Sequence, residues 1–222
     1  MSLTQKLKRA LWARHGAVDT PSEWDGRVYG GGKISQRFWE YFRAIELLDL
    51  DEGDKIIDIG GGSPATGLSF FSRLLADAGL DITILDINFG DERDIPQNVS
   101  LVRSLADRET LSRVLKNGKF DKMSCVSVLE HATREQQVGI FQSVQDSFEG
   151  KSFVTTFEFH ERDVLFDQCL TTRSLSDAVS VLSRYYLTDI DKCPLHCENA
   201  FNGSIRLWYP MALRFQRSDV ED

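Results

Sequence analysis

Lys55-Ile56-Ile57-Asp58-Ile59-Gly60-Gly61-Gly62-Ser63-Pro64 joins a short β-branched run to three glycines and a proline. The isoleucine-rich run reads as a buried strand. The glycines permit the positive φ values and close backbone approach needed where a ligand lies across the carboxyl end of a parallel strand. They serve equally for a tight turn that binds nothing. Pro64 suits the first turn of a helix, predicted to carry Leu68, Phe71, Leu75 and Ala78 on its core face and to stop at Gly79.

Upstream, Ile34, Phe38, Tyr41, Ile45 and Leu48 form one helical stripe that ends in an acidic turn at residues 49–53. Downstream, strands are predicted at 82–87, 99–103 and 120–128, with a helix near 109–115. A capping box, Thr133 with Gln136, opens a further helix bearing Val138, Phe141, Val144 and Phe148. A fifth strand follows at 151–157, then a helix opened by Ser174 and Asp177. Two final strands, 186–190 and 211–216, have no helix evident between them and are expected to pair antiparallel. This alternation gives an α/β domain around a right-handed parallel sheet.

The chain has 222 residues, 41% of them apolar, enough for one substantial core. Residues 1–53 read as a helical extension and lid, and 54–222 as the main domain. A net charge of −8 argues against broad adhesion to nucleic acid or anionic lipid. Lys6, Lys8, Arg9 and Arg14 oppose that trend, as a solvated amphipathic start or as a local contact for an anion. No apolar run approaches the roughly 18 to 20 residues that span a bilayer, and no signal-peptide core is evident, so a cytoplasmic location is expected. Cys125, Cys169, Cys193 and Cys197 lack framework spacing, which suits a reducing compartment without disulfides.

Acidic residues flank the glycine turn. Asp86, at the tail of the second strand, is placed to accept both hydroxyls of a ribose, or else to cap a helix. Asp58 is placed to orient the cationic amino group of a methionine moiety, for which a pyrophosphate offers no equivalent; it could instead cap the turn's own amides. Asp107, in Ser104-Leu105-Ala106-Asp107, fits an adenine amine or the N-cap of the next helix.

Asp58 through Gly62, Asp86, the Ala106-Asp107 pair and the run Phe120 to His131 together resemble class I S-adenosylmethionine-dependent methyltransferases. The likeness spans roughly residues 54 to 217 and is closest to the small-molecule branch whose fourth strand ends in Ser-Val-Leu-Glu-His, here Ser127-Val128-Leu129-Glu130-His131. It implies a Rossmann-like three-layer sandwich with sheet order 3-2-1-4-5-7-6 and an antiparallel seventh strand. It also implies S-adenosylmethionine as cofactor, held by Tyr29, Asp58, Gly60, Gly61, Gly62, Asp86, Ile87, Ala106, Asp107, Ser127 and Val128. The acceptor is expected to be the oxygen or nitrogen of a small molecule, perhaps a sugar or biosynthetic intermediate. The proline within Ser63 to Gly67 departs from the family's simple threonine-glycine turn, and the interval from Gly62 to Asp86 is long.

Methyl transfer from a sulfonium is an in-line displacement that gains most from positioning and exclusion of water. Where the acceptor must lose a proton, His131 is a candidate base at the ligand end of the fourth strand; shaping the donor pocket or capping the next helix are its other roles, and Glu130 shares them. Glu158 and His160 form a second polar cluster after the fifth strand, as acceptor contacts or as a solvated loop. Cys193-Pro194-Leu195-His196-Cys197-Glu198 offers too few ligands for a closed zinc shell and reads as a turn. Trp24, Tyr29, the glycines at 30 to 32, Phe38 and Trp39 suit a lid, with Phe38 and Trp39 packing on the core. Two competing classes remain. Gly60-x-Gly62-x-x-Ala65 fits the dinucleotide fingerprint of a nicotinamide-dependent oxidoreductase, and a noncatalytic nucleoside-binding protein would carry the same acids.

Overall fold

The computed structural model describes residues 1–14, 36–90, 94–160, 170–193, 197–201 and 204–218. In chain order the elements are α1 (Leu3–Arg14), α2 (Gln36–Leu48), β1 (Lys55–Ile59), β2 (Gly62–Ser63), β3 (Gly67–Leu68), α3 (Phe70–Asp77), β4 (Asp81–Asp86), β5 (Val99–Arg103) and α4 (Arg108–Asn117). Then come β6 (Lys122–Val126), a 3-10 turn (Leu129–His131), α5 (Arg134–Ser147), β7 (Ser152–His160), β8 (Leu170–Thr171), α6 (Thr172–Val179), β9 (Tyr185–Lys192), β10 (Cys197–Phe201) and β11 (Ser204–Arg217).

The main sheet runs β5-β4-β1-β6-β7-β11, with β9 on β11. From β5 to β7 the pairs are parallel, and β11 is antiparallel to both β7 and β9. Counting only the expected strands, this is the order 3-2-1-4-5-7-6 with the seventh reversed. Two additions depart from it: β8 extends the end of β7 in parallel, and β10 forms a hairpin with the first residues of β11.

Strand alternation splits the core into two clusters, one per face. Ile56, Ile82, Ile84 and Val154 pack with α1, α2 and α3, while Ile57, Ile59, Met123, Cys125, Phe153 and Phe157 pack with α4, α5 and α6. On the second face, Phe141, Phe153 and Phe215 meet with ring centroids 5.6 to 5.7 Å apart.

Helix α1 is amphipathic, with Lys6 and Arg9 on its exposed side. Leu3, Leu7, Leu11 and Trp12 are buried, Trp12 against Phe38. Lys6 and Lys8 pair with Glu52 and Glu46 at 2.8 and 3.0 Å, so two of its basic side chains are held within the molecule. Phe38 and Trp39 are core residues, as their helical spacing predicts.

Three expected boundaries move. The helix predicted from Pro64 begins at Phe70, because residues 62–68 form the β2–β3 hairpin instead. Gly67 takes a φ of +76° in it, Thr66 Oγ1 donates to the Leu68 carbonyl at 2.7 Å, and Ser69 caps α3. Helix α6 is capped by Thr171 with Ser174 in a capping box, one turn earlier than Ser174 with Asp177. Strand β7 runs through His160 and takes Glu158 into the ladder opposite Pro210. Among the described residues, no helix is long and apolar enough to cross a membrane.

Candidate functional site

The glycine turn leaves β1 at the carboxyl edge of the sheet. Gly60 has a φ of +76°, and a Cβ there would lie 2.1 Å from Val128 Cγ2, so both backbone conformation and space require glycine. A Cβ on Gly61 would meet Asp58 Oδ2 and Ser72 Oγ at 2.3 Å. Asp58 therefore lies directly beneath the turn. Its Cα partner across the ladder is Ser124, whose hydroxyl donates to Oδ1 at 2.6 Å, and Ser72 donates to Oδ2 at 2.6 Å. Burial pushes the Asp58 carboxyl up to about 6, against the opposing pull of the two serines.

Asp86 ends β4. Its Oδ2 accepts from the Gly62 amide at 2.9 Å and its Oδ1 from the Asn88 amide at 2.8 Å. The carboxylate is thereby fixed in orientation, with each oxygen retaining acceptor capacity beyond the one amide it holds. Beside it opens a cavity of ≈ 340 Å³ lined by Ile59, Gly60, Asp86, Ile87, Asn88, Ser104, Leu105, Ala106, Ser127, Val128, His131 and Gln136, among others. Parts of β1, β4, β6 and the segment after β5 thus converge on one crevice.

The end of β6 is unusual. Ser127 takes a φ of +53°, uncommon for a residue other than glycine. Its amide donates to the Thr156 carbonyl at 2.9 Å and its hydroxyl to Glu40 Oε1 at 2.5 Å, which hold the conformation. Thr156 Oγ1 donates to the same Glu40 oxygen at 3.3 Å, and Arg37 lies 3.4 Å from the other. Beyond Ser127 the 3-10 turn sends His131 to the exposed rim of the cavity and buries Glu130. Both Glu130 carboxylate oxygens are buried without a hydrogen-bond partner. Burial, with Glu40 and Glu158 nearby, pushes its carboxyl up to about 8, and Glu158 is pushed up to about 7 by burial and Glu40.

The structure brings Gly60, Asp86, Ile87, Ala106, Ser127, Val128 and His131 to the cavity wall. Gly61 and Gly62 form the turn behind it. Asp107 caps α4, accepting from the Thr110 amide at 2.8 Å, next in sequence to the lining Ala106. Glu158 and His160 occupy the last turns of strand β7, not a loop beyond it. Tyr29, Trp24 and the glycines at 30 to 32 lie outside the described residues, as do residues 194–196 of the cysteine-flanked turn. Cys193 is buried, and among the described residues no three His, Cys, Asp or Glu side chains are spaced to hold a metal ion.

Sequence reasoning missed Glu40, whose one signal was a lone acid inside the aromatic run Phe38-Trp39-Glu40-Tyr41-Phe42. Ser72 and Ser124 carried no signal, because a serine that binds a buried acid looks like any other in sequence. The dinucleotide fingerprint fails on geometry. It requires the glycines to run into a helix N-terminus that faces a pyrophosphate, and here the β2–β3 hairpin intervenes before Phe70.

No family model and no curated protein matches the chain. Solved structures do. The 1,6-didemethyltoxoflavin-N1-methyltransferase of Burkholderia thailandensis, solved with 1,6-didemethyltoxoflavin and S-adenosylhomocysteine, aligns with a TM-score of 0.52 over 98% of this chain and 79% of its own, at 12% identity. N-methyltransferase NodS of Bradyrhizobium japonicum, in complex with S-adenosylhomocysteine, gives 0.53 over 99% and 100%, also at 12% identity. The chain has the fold of S-adenosylmethionine-dependent methyltransferases. A methyltransferase from Archaeoglobus fulgidus gives 0.53 over 82% of this chain and 95% of its own, at 14% identity. In such a methyltransferase fold the strand order reverses between β1 and β6, where open α/β sheets place their ligand crevice. The cavity between Gly60 and Val128 lies at that reversal.

Proposed function

We propose that the protein transfers a methyl group from S-adenosylmethionine to an oxygen or nitrogen of a small molecule. The observation that carries this reading is Asp86, held by two backbone amides at the wall of a crevice beside a glycine whose positive φ and contact with Val128 disfavour any side chain. The residues present fit the donor. Asp86 has acceptor capacity left for ribose hydroxyls, Leu105 and Ala106 offer an apolar wall for a base, and Gly60 lets the turn pack against Val128 at the edge of the crevice.

Bound there, S-adenosylmethionine supplies a methyl group activated by a sulfonium. Ile87, Ala106 and Val128 exclude water from the crevice, and the Ser127 bend fixes the wall on the acceptor side. Asp58, shut beneath the turn by Gly61, acts on the donor through the glycine backbone that it supports. His131, exposed at the rim, is a cavity-lining side chain able to take a proton from an acceptor hydroxyl. The N-terminal extension supplies the cover of this site, with Tyr29 on the donor side, while α1 and α2 anchor it on one face of the sheet.

Calorimetric titration with S-adenosylmethionine, S-adenosylhomocysteine and NADH tests the reading. Binding of the first two and not the third is expected; binding of NADH alone would replace methyl transfer with hydride transfer. Donor binding with no methylation across a broad metabolite panel would favour a noncatalytic nucleoside-binding protein.

A further inference from the structure

Glu40, Glu130 and Glu158 lie within electrostatic reach of one another near the carboxyl ends of β6 and β7, next to the Ser127 bend. Glu40 comes from α2, Glu130 from the 3-10 turn and Glu158 from β7. Glu130 is 2% exposed and Glu40 3%, whereas Glu158 is only half-buried, so the group has a closed floor and an open side at Glu158. Among the described residues, the charged and titratable groups facing Glu130 and Glu158 are each other, Glu40 and Arg37 of α2, and Cys125 of β6, with His160 on the same strand face as Glu158.

This arrangement is costly unless something completes it. Glu40 has the Ser127 and Thr156 hydroxyls and the Arg37 guanidinium. Glu130 has only its own backbone amide and the more distant Arg37 charge to offset burial: neither of its buried side-chain oxygens has a hydrogen-bond partner within bonding geometry. A buried carboxylate left without a donor loses its hydration with nothing in return. A folded protein seldom keeps such a group without a use for it.

We propose that Glu130 and Glu158, with Glu40 behind them, form the acceptor subsite and recognise the protonated nitrogen of a small amine. The inference rests on the methyl-transfer reading and names the acceptor class. An ammonium brings three donors and a positive charge to a group of acids in which, among the described residues, Arg37 pairs with Glu40. A hydroxyl brings one donor and no charge. Once the ammonium is seated, one glutamate accepts the proton that the nitrogen must shed before it has a lone pair to offer.

Without a ligand, burial and mutual repulsion hold protons on the pair near neutrality. A cation seated among them displaces those protons into solvent.

The test compares benzylamine with benzyl alcohol, and cyclohexylamine with cyclohexanol, by ligand-detected NMR on the full chain with and without S-adenosylhomocysteine. Each amine is expected to bind about tenfold tighter than its alcohol. Glu130→Gln and Glu158→Gln, which mimic the protonated acids and preserve shape, are expected to remove that preference while S-adenosylhomocysteine affinity stays unchanged. Heats of amine binding near neutral pH are expected to vary with the ionisation enthalpy of the buffer in the wild type and not in the Glu130→Gln variant, a signature that a structural role would not move. Equal binding of amine and alcohol, absence of amine binding, or a preference that survives both substitutions would overturn the proposal. Failure of S-adenosylhomocysteine to bind counts against methyl transfer, while the amine comparison without it still decides this inference.

Discussion

Asp86 illustrates how one side chain serves structure and ligand together. Its oxygens tie the glycine turn to the loop after β4 through the Gly62 and Asn88 amides. Replacing Asp86 by Ala removes a charged acceptor from both amides and from any bound ribose, so S-adenosylhomocysteine affinity is expected to fall about 10- to 100-fold, from hydrogen bonds to a charged group of about 1.5–3 kcal/mol. Calorimetry of the variant checks this; unchanged affinity would remove Asp86 from the donor site.

Glu130 gives a pH prediction of definite sign. Its carboxyl is raised from an ordinary 4.5 to about 8, chiefly by burial. Between those values the folded chain keeps a proton that the unfolded chain has released, so stability from this group is full below 4.5 and is lost as pH rises through about 8. Glu130→Gln cannot ionise, and its stability relative to the wild type is expected to increase from about pH 5 to about pH 8. Urea midpoints of the two proteins at both pH values measure it. A constant difference would mean that Glu130 is ionised throughout.

At the scale of elements, the β1 turn is the tightest constraint. Gly60→Ala forces a Cβ into Val128 while φ stays positive, so a loss of about 1–3 kcal/mol from the backbone alone is expected, with the clash added. Chemical denaturation checks it, and a neutral substitution would show that the turn can relax away from β6. Much of this element was legible in the sequence, because isoleucine runs, glycines and acids at strand ends follow from local rules of propensity and turn chemistry. What was not legible depended on contacts distant along the chain. Pro64 read as a helix start, yet the hairpin prevails because Gly67 turns back and the Ser63 carbonyl accepts the Gly90 amide at 2.9 Å. Glu158 read as belonging to a loop because an acid ends an apolar run. Pairing with β11 extends the strand through it. Glu40 lies 87 residues from its partner Ser127, and no local pattern announces that bond.

Across the whole molecule, the N-terminal helices share one apolar cluster with the first face of the sheet. Leu7→Ala in α1, far from the crevice, is expected to cost about 2–5 kcal/mol, read as a lowered unfolding temperature. A negligible change would show α1 to be a dispensable appendage. The same cluster includes α2, the helix that carries Glu40. The central claim is that the crevice at the reversal of strand order holds an adenosyl group. A crystal structure of the protein with S-adenosylhomocysteine tests it most directly: ribose hydroxyls on Asp86, with the base beside Ala106, are the predicted result. Density for the ligand elsewhere, or an empty crevice beside Gly60 at saturating concentration, would contradict it.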